Sequence, residues 1–231
     1  PEMMSTLHYG YEGAECTQPS LLPYFPGYKY DPMAPNDEKS SYRGVTVGEG
    51  GYVFANPEVY GNVALLDVSS MHPHSAIAEC IFGPRFTRAF RDIVEGRVSI
   101  KHQAWDEVNS MLDGKLTPFI QKIIDGEMKA KDLANGLKTA INSVYGLTCA
   151  KHENPFRDPR NIDNIVAKRG ALFMVNLKHE VMKRGFTVVH IKTDSIKIAD
   201  ATPEIIKFVM DYGRLYGYTF EHEATYDRMC L

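Results

Sequence analysis

No apolar run in this chain approaches the roughly 20 residues that a bilayer-crossing helix requires. The Met- and Tyr-rich start also lacks the charged-then-apolar layout of a signal peptide. Membrane roles are thereby disfavoured, and a cytoplasmic location is expected. Cysteine is scarce: Cys16, Cys80, Cys149 and Cys230 form no CxxC pair and have no histidine at zinc-finger spacing. That pattern argues against a disulfide framework or a structural zinc site and leaves free thiols as the expectation. An excess of positive charge is missing as well. The formal net charge is −3, whereas nucleic-acid binders usually show a basic face, so any DNA contact rests on local clusters or on parts outside this chain. There is no internal repeat.

What is present is an ordinary globular composition. At 231 residues, 44% hydrophobic and 24% charged, the chain can bury a core as one large domain or two small ones. Residues 1–41 are rich in proline, tyrosine and glycine without a period of 2 or 3.6, which reads as an extended arm or linker. Beyond Gly50-Gly51 and Asn56-Pro57, the brief apolar stretch 62–67 predicts a buried strand ending on Asp67. Ser69 and Ser70 follow as helix caps. Apolar positions at helical spacing over 86–112 and 118–145, separated by Asp113-Gly114, predict two antiparallel helices. A third helix over 162–184 stops at Gly185. FTVVHI, the turn KTDS and IKIA predict a hairpin, because β-branched residues flank a short polar turn. Pro203 opens a last helix, and YTFEHEATY reads as a closing strand. The order predicts an α+β fold in which helices cover an antiparallel sheet.

Two aspartates stand where chemistry is built. Asp67 ends an apolar strand and Asp194 occupies a tight turn, 127 positions later (194 − 67). Neighbouring strand ends can bring such carboxylates together, and magnesium is commonly held by one or two carboxylates plus substrate phosphates. Aspartate is also common as a plain turn or cap residue. Between the two, Lys138, Asn142 and Tyr145 fall at i, i+4 and i+7 on one helical face, and Arg97 and Lys101 are i, i+4 on another helix. Such cations suit a triphosphate, where catalysis is mostly positioning and charge neutralisation. Basic residues at this spacing also make ordinary solvated faces.

The segments around these residues resemble motifs A, B and C of family B DNA polymerases, DxxSLYP, KxxxNSxYG and DTDS. Asp67-Val-Ser-Ser70-Met-His72-Pro73 matches the first except at its Leu and Tyr. Lys138-Thr-Ala-Ile-Asn142-Ser143-Val-Tyr145-Gly146 matches the second throughout, and Lys192-Thr193-Asp194-Ser195 matches the third except at its first Asp. Gly50-Gly51 with Pro57 resembles the glycine-containing segment that precedes motif A, and Arg97-x-x-x-Lys101 resembles the basic fingers motif. The motif order agrees, and the likeness spans about residues 42–231. Compact fingers and the unusual third motif are similar to phage or viral members.

The resemblance implies a polymerase palm of antiparallel sheet covered by helices, interrupted by a two-helix fingers insertion. Residues 42–84 would be the first part of the palm, 85–145 the fingers and 146–231 the rest of the palm. Asp67 and Asp194 would be the catalytic residues and hold two Mg2+ ions, Mn2+ being a substitute, with the carbonyl of Val68 as a further ligand. Ser69, Ser70, Met71, His72, Arg97, Lys101, Lys138, Asn142 and Tyr145 would meet the nucleotide. Gly50, Gly51, Gly146, Thr193 and Ser195 would meet template or primer. His72 replaces the tyrosine that packs beneath the sugar and excludes a 2′-hydroxyl, and Lys192 would bring an ammonium toward the metals.

The implied activity is template-directed transfer of a deoxynucleoside monophosphate from a dNTP to a primer 3′-hydroxyl. Primer-template DNA and dNTP are the implied partners. A thumb and exonuclease regions are expected elsewhere, in a longer protein or on a second polypeptide. Two other readings remain beside this one: a non-catalytic nucleotide- or DNA-binding remnant, and a metal-dependent nuclease using the same aspartates.

Overall fold

The computed structural model describes residues 21, 23–35, 38–48, 50–154, 156 and 164–231. It is an α+β structure with two antiparallel sheets. The chain divides into two compact units. Among the described residues, one unit lies within 20–78 and 162–231 and carries the sheets; the other lies within 79–161.

In the sheet unit, β1 (Lys29–Tyr30), β2 (Ser40–Tyr42) and β3 (Val45–Thr46) make a small sheet in that order. The proline-rich start was expected to be an extended arm, and its first 20 residues lie outside those described. Among its described residues up to Lys39, most are exposed and two are anchored. Leu21 and Phe25 are buried, and Phe25 stacks on Tyr216 with ring centroids 5.6 Å apart. Aromatic side chains bury enough apolar area to dock a segment that has no periodicity of its own.

The larger sheet contains β4 (Val53–Ala55), β5 (Val59–Val68), β6 (Thr187–Lys192), β7 (Ser195–Ala199) and β8 (Phe220–Cys230), ordered β4-β6-β7-β5-β8. Strand pairing puts Ala64 opposite Ile198 and Leu66 opposite Ile196, with Ile191 opposite Ile196 and Val188 opposite Ile198. Alternation along each strand therefore gathers these buried residues on one face. Against this unit pack α1 (Met71–Ala78), α6 (Ile165–Lys183) and α7 (Pro203–Leu215). Helix α6 is buried almost continuously from Ile165 to Lys178, as a helix enclosed on all sides must be. Gly185, at φ +86°, ends it in the left-handed conformation that glycine adopts without steric cost. Thr202 caps α7 by accepting from the Ile205 amide (3.4 Å), and Pro203 takes the first turn, where no amide is needed.

The second unit is helical: α2 (Gly83–Lys101), α3 (Trp105–Ser110), α4 (Thr117–Ile124) and α5 (Ala130–Thr148), with a 3-10 turn over Met111–Gly114. The two expected long helices are thus each broken. Between α2 and α3, Gln103 turns left-handed at φ 59°, and between α4 and α5, Gly126 does so at φ 79°. The breaks let α3 and α4 fold back, so that Ile100, Val108, Leu116, Ile120 and Ala134 form one buried cluster. Helices α2 and α5 pack on each other. Among the described residues, no helix is long and apolar enough to cross a membrane.

Candidate functional site

The antiparallel ladder between β5 and β7 sets the site. It pairs Val63 with Ala199, Leu65 with Lys197 and Asp67 with Ser195, which places these six residues on the sheet face opposite the main core. At the far end of that face, Tyr60, Val63, Val189 and Ala199 make a small apolar cluster. At the near end the residues become charged. Asp67 is the penultimate residue of β5, and the amide of Val68 donates to the carbonyl of Asp194 (2.9 Å). Two aspartates distant in sequence are thus brought to the same end of the sheet, Asp194 one residue before the ladder partner of Asp67.

Their juxtaposition shows in the chemistry of Asp67. Its carboxyl is pushed up to about 6, first by partial burial, then by the negative charges of Asp194, Glu223 and Glu221; Lys197 pulls in the other direction. Glu221 faces Asp67 directly in the β5–β8 register. Like charges crowded at a half-buried place disfavour ionisation in this way. The excess negative charge and oxygen-only donor set suit a hard divalent cation, with substrate phosphates supplying further ligands. Among the described residues, no group of three or more His, Cys, Asp or Glu side chains is gathered as a ready-made metal cage.

The turn that carries Asp194 is tightly determined. Thr193 sits at φ 54°, its amide donates to the carbonyl of Tyr52 (3.0 Å), and the Asp194 amide donates to the carbonyl of Lys192 (2.7 Å). The same carbonyl accepts from the hydroxyl of Ser195 (3.3 Å), which is buried. Gly51, at φ +124°, lies against Thr193: a Cβ there would come within 3.1 Å of Thr193 Cγ2. Gly50 is exposed in the turn beside it. Lys192 ends β6 with an exposed side chain. It pairs with Ser195, the partner of Asp67, and the cation that bears on Asp67 is Lys197, which also lies 3.2 Å from the accepting Nδ1 of His190.

The segment after Asp67 is used partly by the fold. The Ser69 amide already donates to the carbonyl of Thr219 (2.9 Å), so it is committed to a backbone acceptor in this structure. Ser70 turns left-handed at φ 56° and leads into α1, which opens with Met71 and His72. The Met71 side chain, expected near nucleotide, is buried; a Cβ at Gly170 of α6 would lie 2.6 Å from its sulfur. His72 is half-buried, and burial holds its imidazole below the usual range while Asp194 pulls it upward. His74 instead makes a 3.0 Å hydrogen bond between its Nδ1 and the carbonyl of Ser70.

The remaining residues belong to the helical unit. Arg97 and Lys101 lie on α2; Lys138, Asn142, Tyr145 and Gly146 lie on α5, with Lys138 and Asn142 exposed and Tyr145 half-buried. The buried Nε of Arg97 has no hydrogen-bond acceptor. An orphaned guanidinium donor is what an anion site offers before its anion arrives.

Sequence reasoning did not single out Glu221, Glu223, Lys197 or His190. Their signal lies in strand register: Lys197 is two residues beyond Ser195 on the same face, and Glu221 and Glu223 are two apart on β8.

No protein-family model matches the chain, and no curated protein does. Among solved structures, it is similar to the family B DNA polymerase from the hyperthermophilic archaeon Pyrobaculum calidifontis. The match covers 86% of this chain and 28% of that one, at 17% identity and a TM-score of 0.51. The chain thus spans about a quarter of the length of that polymerase and shares the fold of a part of it.

Proposed function

We propose that the chain is the palm and fingers part of a DNA polymerase, adding deoxynucleoside monophosphates to a primer 3′-hydroxyl under template direction. The observation that carries this reading is the approach of Asp67 and Asp194 at the charged end of the sheet, where Asp67 pairs with Ser195 and Val68 bonds the Asp194 carbonyl, with the Asp67 carboxyl pushed up by burial and then by its acidic neighbours. The fold likeness agrees with it. The sheet unit would be the palm, and the helical unit the fingers.

Asp67 and Asp194 would hold two Mg2+ ions, Mn2+ substituting, with the Val68 carbonyl as a further ligand. When bound, such ions lower the charge and pKa of the attacking hydroxyl and neutralise the departing pyrophosphate. The chain's own groups do the positioning. The first-turn amides of α1 face the nucleotide phosphates, where backbone donors favour negative charge. Arg97, Lys101 and Lys138 supply cations for the triphosphate, and the orphaned Arg97 Nε suits that task. Asn142 and Tyr145 line the nascent base pair, and His72 lies beneath the sugar. Gly50, Gly51, Gly146, Thr193 and Ser195 meet primer and template.

Primer extension tests the proposal. With a labelled primer-template, dNTPs and Mg2+, the chain supplied with its thumb region should lengthen the primer, and Asp194→Asn should abolish extension while leaving DNA binding nearly intact. Extension by Asp194→Asn at the unsubstituted rate would remove the metal assignment. Mg2+-dependent shortening of the primer without nucleotide consumption would favour the nuclease reading.

A further inference from the structure

Helix α6 carries a buried cation that the reaction as proposed does not use. Lys178 is 8% exposed. Its Nζ donates to the hydroxyl of Tyr52 (2.8 Å) and lies 4.4 Å from the centroid of the Phe54 ring and 5.3 Å from that of Tyr52. Tyr52 is itself buried, and its carbonyl accepts from the amide of Thr193 (3.0 Å). Thr193 is the left-handed residue that immediately precedes Asp194. Lys178, Tyr52, Thr193 and Asp194 therefore form a continuous path from the enclosed helix to the carboxylate.

We infer that Lys178 is a positioning residue for Asp194, acting through Tyr52 and the Thr193 amide. This rests on the polymerase reading for its consequence in catalysis, though not for its structural content. The physical reasoning has three steps. A buried ammonium is costly unless its donors are met, so the Tyr52 hydroxyl and the two ring faces confine Lys178 to one arrangement. Tyr52, fixed at its hydroxyl end by Lys178 and followed at once by β4, whose Val53 pairs with Lys192, has little freedom to move its carbonyl. Thr193, a β-branched residue at φ 54°, occupies a sparsely populated region and keeps it only when its surroundings over-determine it. The Tyr52 carbonyl is the acceptor that does so. Gly51 belongs to the same device, because any side chain there would press on Thr193. Helix α6 holds the approach at a second point: Lys168 donates to the carbonyls of Val47 (2.6 Å) and Gly48 (2.7 Å).

Lys178→Met keeps the length and apolar stem and deletes the donor; Tyr52→Phe keeps the ring and deletes the acceptor. Residue-resolved hydrogen exchange and steady-state extension kinetics on the complete protein read both. Protection of the Thr193 amide should fall about tenfold in Lys178→Met, while Ile196 and Ile198 keep theirs. The kcat for extension should drop about tenfold with KM for nucleotide within about twofold, since a misplaced ligand harms the transition state rather than ground-state binding. Tyr52→Phe, which leaves the buried Lys178 ammonium without its oxygen acceptor, should reproduce the same split. Unchanged Thr193 protection together with unchanged kcat in a folded Lys178→Met overturns the inference. Should that variant fail to fold, Tyr52→Phe decides by the same two readings. If the unsubstituted chain extends no primer, the polymerase reading has failed by itself, and Thr193 protection alone still decides whether Lys178 sets the turn.

Discussion

An ionised Asp67 weakens the fold, because burial and its acidic neighbours disfavour the charge. The folded carboxyl keeps its proton up to about pH 6, whereas an unfolded aspartate releases it near 4. Stability from this group is therefore fully present below about pH 4 and is lost as pH rises through about 6. In metal-free buffer near neutrality, Asp67→Asn should raise stability by about 1 kcal/mol, a figure held low because the group is partly solvated. Thermal unfolding in EDTA checks this. Adding Mg2+ should stabilise the unsubstituted chain and leave Asp67→Asn nearly unmoved, since binding to the folded state alone raises the midpoint. An Asp67→Asn variant less stable than the parent in EDTA contradicts the crowding described here. His72 offers a second test. Burial keeps its imidazole below the usual range, so near neutral pH a neutral, flat ring lies at the proposed sugar position. Histidine is shorter than tyrosine, so His72→Tyr should sharpen the preference for deoxy- over ribonucleotides and His72→Ala should relax it, measured as a ratio of kcat/KM values. Equal ratios in all three proteins remove His72 from sugar selection.

Between elements, the contact of α1 with α6 links core packing to the site. Gly170 lets α6 approach Met71 so closely that a methyl group there would come within 2.6 Å of the sulfur. Gly170→Ala should cost about 1–3 kcal/mol as overpacking and, by shifting Met71, disturb the Ser70–His72 turn. Denaturant unfolding and the nucleotide KM should change together; loss of stability with an unmoved KM would separate the core contact from the site. Elements with strong local codes were legible in the sequence. The hairpin over β6 and β7 followed from β-branched residues flanking a polar turn, and α6 ended at Gly185 as expected. The break after α2 was not legible, because Gln103 is neither glycine nor proline and turns left-handed only in its tertiary setting. Asp67 and Asp194 could be found from their surrounding motifs. Glu221 and Glu223 could not, since their approach depends on β8 pairing with β5 across a register shift at Leu65/Leu66, which no local pattern announces.

At the scale of the whole molecule, the chain divides into two compact units, each with buried residues of its own. The sheet unit is built around α6 and the strands; the helical unit is built around Ile100, Val108, Leu116, Ile120 and Ala134. Units with their own cores open with their own free energies. Ile120, 1% exposed, is the point at which to separate them, because truncating a buried isoleucine costs about 2–5 kcal/mol through lost transfer energy and the cavity left behind. We predict that Ile120→Ala speeds amide exchange across α2 to α5 while Leu172, Ile196 and Ile198 in the sheet unit keep their protection. In the polymerase reading, such a variant should retain metal-dependent stabilisation through Asp67 and Asp194 yet bind nucleotide poorly, since Arg97, Lys101 and Lys138 lie on the loosened helices. Uniform loss of protection in both units would show that the chain unfolds as one cooperative body.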